Sequence, residues 1–253
     1  MPAVSDLAAV IIPARYASSR LPAKALAQLQ GQTMIERVYR RALLAKSLDA
    51  VVVATDDERI RDVVAAAGGR VVMTDSRHRS GSDRVAEVAT ELDYDIVVNV
   101  QGDLPLLEPA WVDDLVALLR ARAGLGMATI AVPVQSLAEL NDPSVVKVVC
   151  NSEGRALYFS RAPLPFDRDD PENYSRALHH VGIYAYRKET LLRFSALPPG
   201  ELETAEKLEQ LRAIENGIDI AVVRVDAAAP LEVDTSEDLE RVRGALAEAA
   251  ALE

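Results

Sequence analysis

The stretch LAAVIIPARYASSRLPAK, residues 7–24, decides the fold. Residues 7–12 form a short unbroken apolar run, which matches a strand buried on both faces and is far too short to span a bilayer. The turn that follows holds three cations, Arg15, Arg20 and Lys24, with Ser18 and Ser19 between them. Small residues let backbone N–H groups approach phosphate oxygens, and Arg and Lys supply charge. Open α/β sheets bind ligands at such carboxyl ends of strands. The competing account is a solvated loop whose basic residues happen to cluster.

Outward from that turn, the first half alternates strands and helices. Residues 50–54, 70–73 and 95–100 read as further buried strands, and 33–46, 57–67 and 82–92 carry apolar residues at helical spacing. Thr33-x-x-Glu36 and Thr55-x-x-Glu58 fit capping boxes, and Gly68-Gly69 closes the second helix. This alternation predicts a parallel sheet with right-handed crossovers. After a helix over 111–122 the pattern changes. Residues 126–134, 145–150, 156–159 and 178–186 are strand-like without long helices between them, which predicts a mixed or antiparallel extension. Residues 162–176 form a Pro-rich acidic loop; a helix over 201–216, a strand over 219–225 and a helix over 236–251 follow. With no repeat and no linker, the expectation is one domain, 1–253, with 126–186 as a strand-rich subregion.

Composition bounds the function. The 253 residues are 49% hydrophobic and 26% charged, as in a globular protein. Lys+Arg 28 against Asp+Glu 39 gives net −11, which argues against a nucleic-acid or anionic-membrane binder but not against a local basic pocket. A single cysteine, Cys150, excludes an internal disulfide framework and a Cys-based zinc site. No targeting signal is visible, so the expected setting is a reduced cytoplasm. The sequon at Asn173-Tyr174-Ser175 reads as accidental. Walker, dinucleotide-binding, H-E-x-x-H and G-x-S-x-G motifs are absent, which leaves a dehydrogenase or P-loop enzyme without support.

Two carboxylates complete the pattern. The strand in VVNVQGDLP (97–105) ends in Gln-Gly-Asp, so Asp103 emerges at the same sheet edge as the basic turn. Asp234 precedes Thr235-x-x-Asp238 at the start of the last helix. Each has a bland account, as a turn residue or part of a helix start. Together with the phosphate loop they form a metal–nucleotide constellation, since Mg²⁺ takes oxygen ligands and keeps substrate phosphates.

The chain resembles the 3-deoxy-manno-octulosonate (Kdo) cytidylyltransferases. The resemblance rests on IIPARYASSRLPAK (11–24), ATDDERI (54–60), RSGSDRVAEV (79–88), VNVQGDLP (98–105), ALYFSRAPLPFDRD (156–169), HVGIYAYR (180–187), KLEQLR (207–212) and VDTSEDLERVR (233–243). It implies a Rossmann-like α/β nucleotidyltransferase sheet with a strand-rich dimerisation subdomain, and a reaction joining CTP and Kdo into CMP-Kdo and pyrophosphate with Mg²⁺. By that resemblance, Arg15 and Lys24 hold the triphosphate and Ser18, Ser19 and Arg20 shape their loop. Ser80, Ser82 and Arg84 line the cytosine site, and Asp103 and Asp234 bind the metal. Gln101, Arg161, His180, Tyr184, Glu209 and Gln210 contact the sugar acid, and 126–186 serves a homodimer. The sequence departs from the family at Ala23, where glycine is common, at Leu104, where glutamate is frequent, and at Leu231-Glu232, where a glycine-containing run often stands.

Several sugar-site assignments have structural alternatives. On a continuous helix over 201–216, Glu209 lies at the edge of the apolar stripe near Leu202, or pairs with Arg212. His180 fits a core or edge-strand position equally well, and Arg161 an ion pair with Asp167 or Asp169. Rival functions are transfer to another acidic sugar, 8-amino-Kdo or a sialic acid, and a catalytically silent nucleotide-binding partner, against which both aspartates speak.

Overall fold

The computed structural model describes residues 6–18, 20–78 and 80–251, so Ser19 lies outside the described residues. In chain order the elements are β1 (Ala8–Ala14), a 3-10 turn (Lys24–Leu26), β2 (Gln28–Leu29), β3 (Gln32–Thr33), α1 (Met34–Ala42), β4 (Ala50–Thr55), α2 (Glu58–Ala66), β5 (Arg70–Met73), α3 (Gly81–Glu91), β6 (Ile96–Asn99) and α4 (Pro109–Ala121). They continue as β7 (Met127–Pro133), α5 (Leu137–Asn141), β8 (Lys147–Cys150), β9 (Ala156–Ser160), β10 (Leu178–Arg187), α6 (Lys188–Ser195), α7 (Glu201–Glu206), α8 (Leu211–Glu215), β11 (Ile220–Arg224) and α9 (Ser236–Ala251). The chain divides into two compact units, residues 1–116 with 230–253, and residues 117–229.

In the first unit the expected parallel sheet is present, in the order β5-β4-β1-β6. Val10 of β1 lies opposite Val51 of β4 on one side and Val98 of β6 on the other, and Val53 of β4 opposite Val71 of β5. All seven residues of β1 are buried, which is why its sequence is apolar without alternation. Helix α1 turns Met34, Ile35, Val38 and Ala42 inward, and α3 turns Val85, Val88 and Ala89. Thr33 caps α1 as its spacing predicts, accepting from the Glu36 N–H at 3.3 Å. The second box is shifted: Asp57, not Thr55, caps α2, because Thr55 is the last residue of β4 and its hydroxyl accepts from the Asp57 N–H. Gly68, at φ +76°, and the Gly69 N–H bonded to the Val64 carbonyl then close α2.

The second unit is mixed, as the change of pattern predicts. Strand β7 pairs parallel with β11 and antiparallel with β10, while β8 pairs antiparallel with β10 and β9. The single helix expected over 201–216 is instead two short ones. Lys207 takes φ +56° and ends α7, and the chain folds back so that Glu215 of α8 accepts from the Leu202 N–H at 2.9 Å. In one helix those residues would stand about 20 Å apart. Arg212 closes the same fold-back through Glu203, Nε to Oε2 at 2.7 Å. The helical-wheel argument for Glu209 therefore fails, since its stripe does not exist. Helix α6 has no side-chain cap, and nothing in the sequence marks its start.

Candidate active site

All strands of the first unit's sheet run parallel, so the ends of β1 and β6 open at one edge. There a cavity of about 280 Å³ is lined by Arg15, Ser18, Arg20 and Lys24 from the loop after β1, by Ser80 just before α3 and Gly81 and Arg84 within it, and by Gln101, Gly102 and Asp103 from the loop after β6. Asp234 lines it too, because the Val233 N–H donates to the Asp103 carbonyl at 3.0 Å and draws the segment before α9 alongside. Backbone approach is close: a methyl on Gly102 would meet the Pro13 carbonyl oxygen at 3.0 Å.

The cavity's charges are organised around Lys24. Its ammonium donates to Asp103 Oδ2 at 2.7 Å and to Asp234 Oδ1 at 3.0 Å. Arg20 reaches Asp234 Oδ2 at 3.0 Å from an exposed position. Burial works against the Lys24 charge, but Asp103 and Asp234 outweigh it and raise its pKa. The turn carrying Lys24 begins at Ala23, held at φ +56° in the region glycine favours, so the departure from glycine has a backbone consequence. Arg15 is exposed at the cavity wall and Ser18 half-buried.

Of the three residues assigned to the cytosine site by resemblance, Ser80 and Arg84 line the cavity. Ser80 caps α3 through the Asp83 N–H at 3.0 Å, and the Asp83 carboxylate accepts in return from the Ser80 N–H at 3.2 Å, so a complete capping box borders the cavity. Ser82 is buried and does not line the cavity. Arg84 borders it but is only 4% exposed, and is held by Asp56 at 3.3 Å and by the Thr74 hydroxyl. Gln101 lines the cavity with its amide donating to Asn99 Oδ1 at 3.3 Å.

The remaining sugar-site candidates lie in the second unit. His180 is buried, its Nε2 3.0 Å from the Thr129 hydroxyl and its ring edge-on to Phe159. Burial pushes its pKa down to about 3, with His179 adding a smaller push. Tyr184 continues this aromatic row, 5.3 Å from the His180 ring. Arg161 donates to the carbonyls of Glu206 and Pro143, both at 2.8 Å, and not to Asp167 or Asp169. Glu209 faces Arg212 at 3.5 Å, the alternative its spacing allowed, and Gln210 is buried where α8 begins.

His78 and Glu232 carry no site role from the sequence, although Glu232 stands at a departure from the family. His78 lines the cavity, tied to Glu87. Glu232 keeps an accessible side chain, yet the protein around it, then repulsion from Asp103 and Asp234, pushes its carboxyl up to about 7. Its proximity to Asp234 in the chain was the available signal.

Comparison with known proteins agrees with this geometry. Residues 9–220 match the cytidylyltransferase family. The chain is 52% identical over 225 residues to the 3-deoxy-manno-octulosonate cytidylyltransferase of Geotalea daltonii, covering 85% of this chain and 89% of that protein. It is 49% identical over 217 residues to the 8-amino-3,8-dideoxy-manno-octulosonate cytidylyltransferase of Shewanella loihica, covering 84% of this chain and 88% of that protein. A solved structure of CMP:2-keto-3-deoxy-manno-octonic acid synthetase complexed with CTP superposes with a TM-score of 0.91 at 45% identity, covering 96% of this chain and 99% of the other. A mainly parallel α/β sheet, two aspartates gathered on one lysine beside a basic loop, and likeness over almost the whole chain place this protein in the 3-deoxy-manno-octulosonate cytidylyltransferase family.

Proposed function

We propose that the protein transfers CMP from CTP to Kdo, giving CMP-Kdo and pyrophosphate, in the activation of Kdo for lipopolysaccharide synthesis. The observation that carries this reading is the cationic loop and the Asp103–Lys24–Asp234 cluster at one sheet edge. The anomeric 2-hydroxyl of Kdo attacks the α-phosphorus in line and pyrophosphate leaves, so the protein's task is positioning and charge stabilisation. We assign Arg15, Arg20 and Lys24, which line the cavity, to the triphosphate, and Ser80 and Gly81 beside them to the nucleotide.

Asp103 and Asp234 fit a divalent cation, because their hard anionic oxygens already converge on one ammonium. We assign Mg²⁺ to them; when bound it neutralises charge on the phosphates and the attacking oxygen. Arg161, His180, Tyr184, Glu209, Gln210 and Gln101 are assigned to the sugar acid on the family resemblance, and the working form is a cytoplasmic homodimer.

The test is pyrophosphate release across four nucleoside triphosphates, with Kdo, 8-amino-Kdo and a sialic acid as acceptors. CTP with Kdo should turn over fastest, and a site that binds the cytosine amine should reject uracil, whose mismatch leaves a polar group unpaired. Equal turnover of CTP and UTP would overturn the nucleotide assignment. The 8-amino sugar is a real second reading, since the relatives named for the two sugars are 52% and 49% identical to this chain. Faster turnover of the 8-amino substrate would establish it.

A further inference from the structure

Lys24 does two jobs that conflict. Its ammonium is bound by both aspartates, at 2.7 and 3.0 Å, with its side chain only 17% exposed. The same lysine lines the cavity with Arg15, Ser18 and Arg20, where an anionic nucleotide tail would lie. One ammonium beside two carboxylates leaves the trio short of one positive charge, and exposed Arg20 supplies it at Asp234. A divalent ion taken up by those oxygens would sit against the ammonium, and two cations in contact in a partly dry site repel strongly. The lysine must then leave, and a triphosphate on the neighbouring loop gives it a new partner.

We propose that Lys24 is a displaceable countercation: its ammonium and the divalent metal compete for Asp103 and Asp234, and the triphosphate draws the ammonium off, so that metal and nucleotide bind with positive coupling. The inference rests on the metal assignment made above and adds the control of that same site. Metal alone then binds weakly, and the two aspartates stay neutralised until nucleotide arrives. The coupling needs no moving domain, because reciprocity between two ligands follows from the one side chain both of them displace or recruit.

The test is Mn²⁺ binding to the nucleotide-free protein, followed by electron paramagnetic resonance. Lys24→Met and Lys24→Gln should each tighten Mn²⁺ binding by about tenfold or more, as a cation this close shifts carboxylate affinity for protons by one to three powers of ten. Thermal melts establish that the variants fold, and the glutamine form retains a donor to the aspartates should the methionine form not fold. Adding Asp103→Asn to either Lys24 variant should abolish the gain. If the Lys24 variants bind Mn²⁺ no better than wild type while Asp103→Asn and Asp234→Asn lose binding, the countercation proposal is wrong and the metal assignment stands. If Asp103→Asn and Asp234→Asn bind Mn²⁺ as wild type does, the metal assignment fails and the proposal fails with it.

Discussion

Asp103 and Asp234 are far apart in sequence, and each had a bland explanation there as a turn or helix-start residue. Their shared hold on Lys24 removes that symmetry. Asp103→Asn and Asp234→Asn keep shape while removing charge, so each should lower kcat by about a hundredfold or more. The partly exposed pairs contribute little to folding, so the unfolding free energy from urea titration should fall by under about 1 kcal/mol. Near-full activity of either variant at limiting Mg²⁺ would return that residue to its turn or helix-start role. His180, assigned to the sugar acid on the family resemblance, is also buried, its ring against Thr129 and Phe159. Its folded pKa of about 3 lies below the ordinary 6.5, so the unfolded chain binds the extra proton between those values. Its stability contribution is complete above pH 6.5 and is lost as pH falls toward 3. At pH 5 the loss is about 2 kcal/mol. Urea unfolding at pH 7.5 and 5 should show a difference smaller by that amount in His180→Gln; identical differences would refute it.

Among the elements, boundaries were legible where a cap or an apolar run marks them. β5 and α9 match their sequence readings end to end, and β1 and α3 lie within two residues of theirs. The break between α7 and α8 was not legible, because it depends on Glu215 and Arg212 reaching partners in the preceding helix. Glu215→Ala removes acceptors from the Leu202 and Glu203 N–H groups and should cost about 1 kcal/mol, the usual scale of a lost helix cap. An unchanged thermal midpoint would show that solvent satisfies those groups equally well. The loop after β6 is tighter still. Gly102→Ala drives a methyl against the Pro13 carbonyl, a backbone atom that cannot rotate aside. The variant should lose about 1–3 kcal/mol of stability and displace Asp103, which shows as reduced kcat even where the protein stays folded. Full activity at wild-type stability would mean that the β1 and β6 ends can separate freely.

At the scale of the molecule, the second unit pairs β8 and β9 at one end of its strand set and exposes Leu157 of β9 and Phe166 of the acidic loop. Exposed strand edges and apolar side chains are what a monomer must cover. A symmetric homodimer through this region predicts twice the chain mass in light scattering at micromolar concentration. A Phe166→Asp, Leu157→Asp double variant should shift that mass toward the monomer while CTP binding persists. A monomeric wild type would contradict the assembly.

By itself the sequence determined the parallel α/β core, the cationic loop after β1 and the loop positions of Asp103 and Asp234, because burial of continuous apolar strands and clustered charge are local patterns. Likeness over most of the chain added the family. Only the tertiary structure decided that Asp103 and Asp234 share one lysine, that Arg84 is committed to Asp56 and Thr74, that Arg161 binds backbone carbonyls, and that the surrounding protein, then Asp103 and Asp234, raise the Glu232 carboxyl. Those facts depend on which side chains meet across long stretches of chain. Ion pairing, burial and repulsion act through space, and residue spacing along a strand or helix carries no record of them.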